Sequence, residues 1–299
     1  MKKLTIFTPI YNRAYLIRRL YNSIIKQKEI NNITWLVIDD GSIDNISDVM
    51  NSLINEKLLD IVFISNQENI GKMRTFNKAI EMADSVFFEC VDSDDYLLDS
   101  YSDYINQLVR IENKNQNDQV IGYVAKRLIN GKENRELPKL KSTKFNDIYD
   151  VYHYDTDLQV TFKLNQLKEF RFDFFGEEPF VTEMLFYSKI DLKYDYIPID
   201  IFTVKGEYQP DGYTANQKST IKSSPVGWAA CYIDLSRKDK SIKKFSKLLL
   251  ASSLYWLGSQ NARKDMKSIL NLNFFEYVLI ILGYPLSIVR GIKGKIEKV

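Results

Sequence analysis

Phe87-Phe88-Glu89-Cys90-Val91-Asp92-Ser93-Asp94-Asp95 is an apolar run that breaks off into acids at Asp92, Asp94 and Asp95. An apolar run of this length between turn-forming residues reads as a buried strand. Acids at its exit fall on the C-terminal edge of a sheet, where open α/β folds place their ligands. Asp92 and Asp94, one residue apart, can converge on a hard divalent cation, which takes oxygen ligands. The competing explanation is an acidic turn in which Asp94 or Asp95 caps the next helix. The sequence upstream decides between the two.

Upstream, strands and helices alternate. Leu4 to Thr8 reads as a strand closed by Pro9, and Leu16, Leu20, Ile24 and Ile25 place an amphipathic helix at about 14–28. Trp35 to Ile38 is a second strand. A helix carrying Val49, Met50, Leu53 and Ile54 follows, with Asp44 or Ser47 as its cap. Ile61 to Ile64 is a third strand. Asn69-Ile70-Gly71-Lys72 then opens a helix through Phe76, Ala79, Ile80 and Ala83. This β-α-β-α-β-α-β order predicts a mostly parallel sheet with right-handed crossovers. Parallel strands bring residues 8–13, 39–42, 66–72 and 92–95, all polar and loop-forming, to one edge. Such a clustering implies a cleft for a polar ligand. Gly41 and Gly71 suit turns with positive φ or a close backbone approach. No G-x-G-x-x-G follows the first strand and no G-x-x-x-x-G-K-[ST] occurs, which disfavours dinucleotide-binding and Walker-type loops.

Bulk properties narrow the classes further. With 45% apolar and 13% aromatic residues in 299, the chain has enough core-forming side chains to exclude wholesale disorder. A net charge of +2 argues against a nucleic-acid binder driven by bulk charge. Cys90 and Cys231 are too few and too far apart for a disulfide framework, so a reduced, cytoplasmic chain is expected. The start at Met1 runs straight into a strand interrupted by Pro9 and Asn12 and does not read as a signal peptide.

Four motifs now stand in order: Thr8-Pro9-Ile10-Tyr11-Asn12-Arg13, Val37-Ile38-Asp39-Asp40-Gly41-Ser42, Asn69-Ile70-Gly71-Lys72 with Asn77, and Val91-Asp92-Ser93-Asp94-Asp95. Together they resemble glycosyltransferase family 2, across about residues 4–100. The resemblance implies an α/β fold of the GT-A type: a Rossmann-like, mostly parallel central sheet flanked by helices, with a helical C-terminal extension. It implies transfer of a sugar from a nucleotide-diphosphate donor, a UDP-sugar by preference, to a saccharide or lipid-linked acceptor in cell-surface polysaccharide synthesis, with Mn²⁺ or Mg²⁺. By the same resemblance Thr8, Pro9 and Tyr11 lie against the base. Asp39 accepts a hydrogen bond from a uracil-type N–H, with Asp40 beside it. Lys72 stands near the phosphates, helped by Arg13 and Arg74. Asn69, Gly71, Asn77 and Ser93 complete the donor-binding set. Asp94 is the direct metal ligand, and Asp92 contacts the ribose or the metal's water. The physical logic agrees, since a cation bridging the oxygens of a departing diphosphate stabilises its growing charge.

The middle of the chain is less informative. Val120 to Ile129 reads as a strand after an exposed linker at 113–119, and residues 135–165 have no clear pattern. His153, the only histidine, could complete the metal or pyrophosphate site, although a lone histidine is more often structural or exposed. An inverting transferase also needs a general base for the acceptor hydroxyl. Family members often place a Glu-Asp pair after an aromatic-Gly turn. This chain departs from that pattern, with Phe174-Phe175-Gly176-Glu177-Glu178 and then Val181-Thr182-Glu183. Glu178 fits the turn and Glu183 fits the entry to a helix at Met184 to Ile190, and Glu183 is slightly preferred. Both also suit a simple helix N-terminus. Tyr196 to Tyr208 reads as a strand near the far edge of the sheet, and Gln209-Pro210-Asp211-Gly212 as a turn. Tyr213, Lys218 and Lys222 are candidates for contact with the diphosphate or acceptor.

From about Gly227 the chain turns helical. Phe274 to Leu282 is strongly apolar but short of the ~20 residues that span a bilayer, and Arg290, Lys293, Lys295 and Lys298 follow. Apolar surface beside a basic tail suits an anionic membrane interface, and ordinary packing or a dimer contact would account for it too. The expected division is a catalytic domain over 1–225, with a nucleotide-sugar half at about 1–100 and an acceptor half at about 101–225, then a helical region over 226–299. Two other functions fit less well. A nucleotidyltransferase would carry a Gly-rich basic loop after the first strand, which residues 8–13 lack. A non-catalytic nucleotide- or carbohydrate-binding module would fit the missing Glu-Asp pair.

Overall fold

The computed structural model describes residues 2–114, 117–129, 135–206, 209, 212, 216–238, 243–282 and 284. The chain forms two compact units. One comprises Met1–Arg171 with Ile190–Pro210, the other Phe172–Lys189 with Asp211–Val299.

The first unit begins β1 (Lys2–Ile10), α1 (Ala14–Ile24), β2 (Ile33–Asp39), α2 (Ile46–Asn55), β3 (Asp60–Ser65), α3 (Lys72–Met82) and β4 (Ser85–Cys90). It continues with β5 (Tyr96–Leu97), α4 (Tyr101–Lys114), β6 (Val120–Ile129), α5 (Phe145–Asp150), β7 (Leu158–Lys163), α6 (Leu164–Leu167) and β8 (Asp195–Gly206). Among the described residues these strands make one eight-stranded sheet in the order β3-β2-β1-β4-β7-β6-β8-β5. β1 to β4 are mutually parallel. β7 runs antiparallel between β4 and β6, β8 lies parallel to β6, and the two-residue β5 closes the edge antiparallel. The sheet is mostly parallel, as the alternation predicted, and of the GT-A kind that the resemblance implied.

Strand alternation sends successive side chains to opposite faces. Ile6, Trp35 and Val37 face a buried layer with Ile17, Leu20, Met50, Leu53 and Tyr104 from α1, α2 and α4. Phe7 and Phe88 point the other way, where Phe76 of α3 meets both edge-on at 5.9 and 5.4 Å. Both faces are therefore covered, and burying each such aromatic contributes roughly 1.5–3 kcal/mol.

Several local expectations change. β1 does not stop at Pro9 but pairs through it to Ile10, in register with Asp39. The last β1–β4 pair is Phe7 with Cys90, and alternation turns Pro9 toward β4 beyond that pair, where a missing N–H costs no ladder bond. α1 ends at Ile24, short of residue 28. The N-cap position of α2 is Asn45, without a side-chain bond, but Asp44 before it accepts the Ile46 N–H at 3.3 Å as expected, whereas Ser47 lies inside the helix. The other oxygen of Asp44 accepts Ala14 N–H at 2.8 Å, so the same residue also closes the start of α1. The acid-flanked strand ends at Cys90, ahead of Asp92. Residues 135–165, which carried no pattern, hold α5 and the fully buried β7. β8 lies one strand in from the edge.

The second unit holds α7 (Glu183–Asp191), which begins in it, then α8 (Gln217–Ser223), α9 (Pro225–Lys238), α10 (Lys243–Tyr255), α11 (Gln260–Leu270) and α12 (Phe274–Leu282). No helix among the described residues is long and apolar enough to cross a membrane. Of the expected turn at 209–212 only Gln209 and Gly212 are described, and Tyr208, Tyr213, Arg290, Lys293, Lys295 and Lys298 lie outside the described residues.

Insertion of β7 depends on Gly122. A Cβ there would stand 2.5 Å from the Thr161 carbonyl oxygen and 3.1 Å from Phe162 Cα. Gly122→Ala is expected to lower unfolding free energy by about 1–3 kcal/mol in urea titrations. An unchanged midpoint would mean that β7 can back away.

Candidate active site

The four parallel strands deliver their C-terminal loops to one edge, and a closed circuit of side-chain bonds joins those loops. Asp40 is its anchor. The carboxylate, buried behind the end of β2, accepts Asn66 Nδ2 at 2.9 Å, Ile70 N–H at 3.0 Å, Gly71 N–H at 2.8 Å and the Thr75 hydroxyl at 3.2 Å. An acid at the N-terminus of α3 also meets the positive end of the helix dipole. Gly71 sits at φ 92° to turn its N–H inward. Gly41, at φ 78°, lets the second loop pass Glu68 and Asn69, where a Cβ would come within 2.5 Å of backbone.

The first and second loops are tied by Asn12, which adopts a left-handed φ of 52°. Its N–H donates to Ser42 Oγ at 2.8 Å and its Oδ1 accepts Ile43 N–H at 2.9 Å. Asp39 is buried and accepts Ser42 N–H at 2.9 Å. Thr8 is buried too, its hydroxyl accepting the Trp35 indole N–H at 3.0 Å. Tyr11 and Ile43 are exposed at the rim.

The fourth loop closes the circuit. Asp95 N–H bonds Asp92 C=O at 3.0 Å, making the acidic stretch a tight turn. Lys72, first residue of α3, lies 2.8 Å from Asp92, and Arg13, from the first loop, lies 2.6 Å from Asp94. Arg127 of β6 pairs with the buried Asp95 from behind, and Arg19 donates to the Asp94 carbonyl. Gly206 leaves room for the Asp95–Arg127 pair, since a Cβ there would touch both partners. Burial works against ionisation of Asp92, but Lys72, Arg127 and Arg13 outweigh it and hold that carboxyl below its usual range. Burial and the neighbouring acids push Asp94 and Asp95 up. Carboxylate oxygens of Asp92, Asp94 and Asp95 all lie within 4.8 Å of one another. Hard oxygen donors brought this close together suit a divalent cation.

Behind this turn lies a buried polar network. Glu89 accepts Gln159 Nε2 at 2.8 Å, the Thr161 hydroxyl at 2.6 Å and the Tyr101 hydroxyl at 3.2 Å. Gln159 also donates to the Cys90 carbonyl at 2.8 Å, fixing the end of β4.

Of the other expected residues, Ser93 is buried, Asn69 is exposed, and Pro9, Arg74 and Asn77 are half-buried. His153 is exposed with φ 56°, and its carbonyl accepts Arg135 at 3.4 Å. In the second unit Glu178 is buried and takes Val226 and Gly227 N–H groups at 3.0 and 2.8 Å, capping α9. Burial raises its pKa against those two bonds. Glu183 opens α7 and is exposed, as are Lys218 and Lys222 on α8. Arg127, Arg19, Thr75 and Glu89 were not singled out by sequence. For Glu89 and Arg127 the signal was a charged residue inside an otherwise apolar strand, as in Lys126-Arg127 of β6, whereas Arg19 and Thr75 carried none.

The sequence pattern of the family described as Glycosyl transferase family 2 matches residues 5–173. A poly(ribitol-phosphate) beta-glucosyltransferase of Bacillus spizizenii is 30% identical over 173 residues, 56% of this chain and 25% of that protein. A teichoic acid poly(glycerol phosphate) polymerase of Staphylococcus epidermidis is 33% identical over 97 residues, 32% of this chain and 13% of that protein. The match thus takes in a quarter or less of either relative's length. Among solved structures, S. aureus TarS 1-349 in complex with UDP-GlcNAc aligns with a TM-score of 0.59 at 17% identity, over 94% of this chain and 79% of that one. A mannosyltransferase from Pyrobaculum calidifontis in complex with GDP-Man and Mn²⁺ aligns with a TM-score of 0.52 at 18% identity, over 96% and 80%. At such identities the likeness is one of fold.

Glu89 makes the rim sensitive to pH. Burial drives its pKa from 4.5 up to about 7 despite three hydrogen bonds that favour the anion. The native state then binds more protons than the unfolded chain between those values, so stability falls as pH rises through that window. Glu89→Gln removes this slope. The wild-type-minus-variant stability difference is expected to drop by roughly 3 kcal/mol between pH about 4.5 and about 8, followed by urea unfolding. Parallel pH curves would show that Glu89 is ionised throughout.

Proposed function

The chain belongs to glycosyltransferase family 2, and from that premise we propose that it is an inverting, metal-dependent transferase of the hexosyl type. Its donor is a nucleotide-diphosphate sugar, UDP-linked by preference, and its acceptor a glycan or lipid-linked saccharide of cell-surface polysaccharide. It works on the cytoplasmic side, peripheral to the membrane. The observation that carries the reading is the closed circuit of loops. Asp39 and the Asp92–Asp95 turn share one sheet edge, and Asp40, Lys72 and Arg13 fix their spacing.

The roles follow from chemistry. Asp39 accepts an N–H of the base, and Tyr11 offers its ring beside it. Asp92 and Asp94 would hold Mn²⁺ or Mg²⁺, which when bound offsets charge growing on the departing diphosphate. Lys72 and Arg13 are long cations already at the turn, and each can exchange a carboxylate for a phosphate oxygen. Asp95 and Arg127 hold the turn's shape. A carboxylate then takes the acceptor hydroxyl's proton as its oxygen attacks the sugar carbon. Glu183, exposed at the head of α7, and Glu178, capping α9, are the two acids proposed for that task. The UDP-GlcNAc complex of TarS and the polymer chemistry in the relatives' names support the choice of donor and acceptor classes.

A panel of nucleotide sugars with Mn²⁺, read by thermal shift, finds the donor, because a ligand bound only by the native state raises apparent stability. Asp39→Ala is expected to weaken UDP binding about tenfold or more, the loss of one hydrogen bond to a charged group. Asp94→Ala is expected to cut Mn²⁺-dependent turnover by roughly 10²–10³-fold. Whichever of Glu178→Gln and Glu183→Gln keeps donor binding but loses transfer identifies the base. Equal turnover of Asp94→Ala and wild type would remove the metal role, and unchanged UDP affinity in Asp39→Ala would remove the base contact.

A further inference from the structure

α12 is docked with its polarity reversed. Glu276, its one acid, is 3% exposed and forms a bidentate pair with Arg237 of α9 at 2.7 and 2.8 Å. Ser252 of α10 and Trp256 just past its end donate to the Leu279 and Ile280 carbonyls at 2.6 Å each, so the inward face of α12 is held by polar bonds. Ile280 is buried on that side and Val278 and Leu279 are half-buried, while the remaining apolar side chains of α12 are exposed. Phe274 is 85% exposed and Leu282 62%, and Ile281 stands beside them. The exposed surface continues onto α10, where Phe245 meets Phe275 edge-on at 6.1 Å and Leu249 follows one turn later.

A water-facing helix normally shows the opposite arrangement, and exposed apolar area of this kind marks a partner. Charge identifies which. Lys244 lies 5.2 Å over the Phe245 ring and Lys267 4.9 Å over the Tyr277 ring, so cations stand at the margin of the apolar surface. The acid nearest in sequence, Glu276, is turned away and paired. In sequence, α12 leads into Arg290, Lys293, Lys295 and Lys298 with Glu297 as the single acid. A protein partner would require matching acids over a shaped apolar surface. An anionic bilayer supplies both features without shape, taking aromatic and aliphatic side chains below the headgroups and lysines at their level. Resting on the peripheral placement offered above, we propose that the outer face of α12 with Phe245 and Leu249 of α10 is a docking surface for anionic lipid.

The test is flotation of the full chain with vesicles of phosphatidylcholine alone or mixed equally with phosphatidylglycerol. Wild type floats with the mixed vesicles only, and added salt releases it. Phe274→Ser with Ile281→Ser changes only exposed side chains, and Lys244→Gln with Lys267→Gln removes two charges. Each pair is expected to weaken vesicle binding about tenfold or more, with melting temperature and UDP binding unchanged. No flotation of wild type, equal flotation with neutral vesicles, or double variants that float as wild type does would overturn the proposal. So would light scattering that shows a dimer dissolved by the Phe274 and Ile281 changes, since the face would then be covered by a second copy. UDP binding in the same preparations separates the questions. Lost flotation with retained UDP binding refutes only the surface, and the reverse refutes only the donor assignment.

Discussion

Everything at the loaded edge of the sheet depends on one buried carboxylate. Asp40 satisfies four donors drawn from the third loop and the first turn of α3. An ionised acid is costly to bury without partners, and these donors are costly to bury without an acceptor. Each side therefore fixes the other. Asp39 precedes Asp40 and Lys72 follows Gly71, so the residue proposed to meet the base and the residue nearest the acids are both set by the same contact. Asp40 was expected among the donor-binding residues, and its bonds suit it to holding that geometry.

The circuit has a second property. Asp92, Asp94 and Asp95 are each paired, by Lys72, Arg13 and Arg127 respectively. Such pairs add little net stability, because desolvation offsets attraction, while loss of one member leaves a buried charge exposed to its like neighbours. What they supply is position. The three cations come from the first loop, the start of α3 and β6, so the acidic turn is referenced to three separate parts of the unit. Lys72 and Arg127 also depress Asp92 while burial and neighbouring acids raise Asp94 and Asp95, so neighbours of one type in one turn acquire different affinities for protons.

The frame of the first hundred residues was legible because its signals are local: apolar runs, Gly41, Gly71 and acids at strand exits. Elements set by distant partners were not. β7 has no periodicity because both of its faces and both of its edges are buried, and a strand in that setting loses the alternation that would reveal it. Pro9 misled because its ladder partner was already absent. Asp44 serves two helix starts, and only the one next to it could be read locally; its bond to α1, thirty residues upstream, could not. At the site, Asp39, Lys72, Arg13, Asp92 and Asp94 could be named from motifs, whereas Arg127 and Glu89 are tied to the turn by pairings the sequence does not display. The acids of the second unit stayed ambiguous since a carboxylate at a helix start looks the same whether it caps or reacts.

The place of β7 has a consequence for the nascent chain. β1 to β4 are complete by residue 90, yet the strand that covers the free side of β4 does not begin until Leu158. A ribosome adds those residues over several seconds at ~5–20 per second. Throughout that interval Phe87 and Phe88 border an unpaired edge, the kind that recruits foreign strands. Synthesis of this protein therefore passes through a stage that invites chaperone custody, which ends only when a strand from far downstream slots into the middle of the sheet.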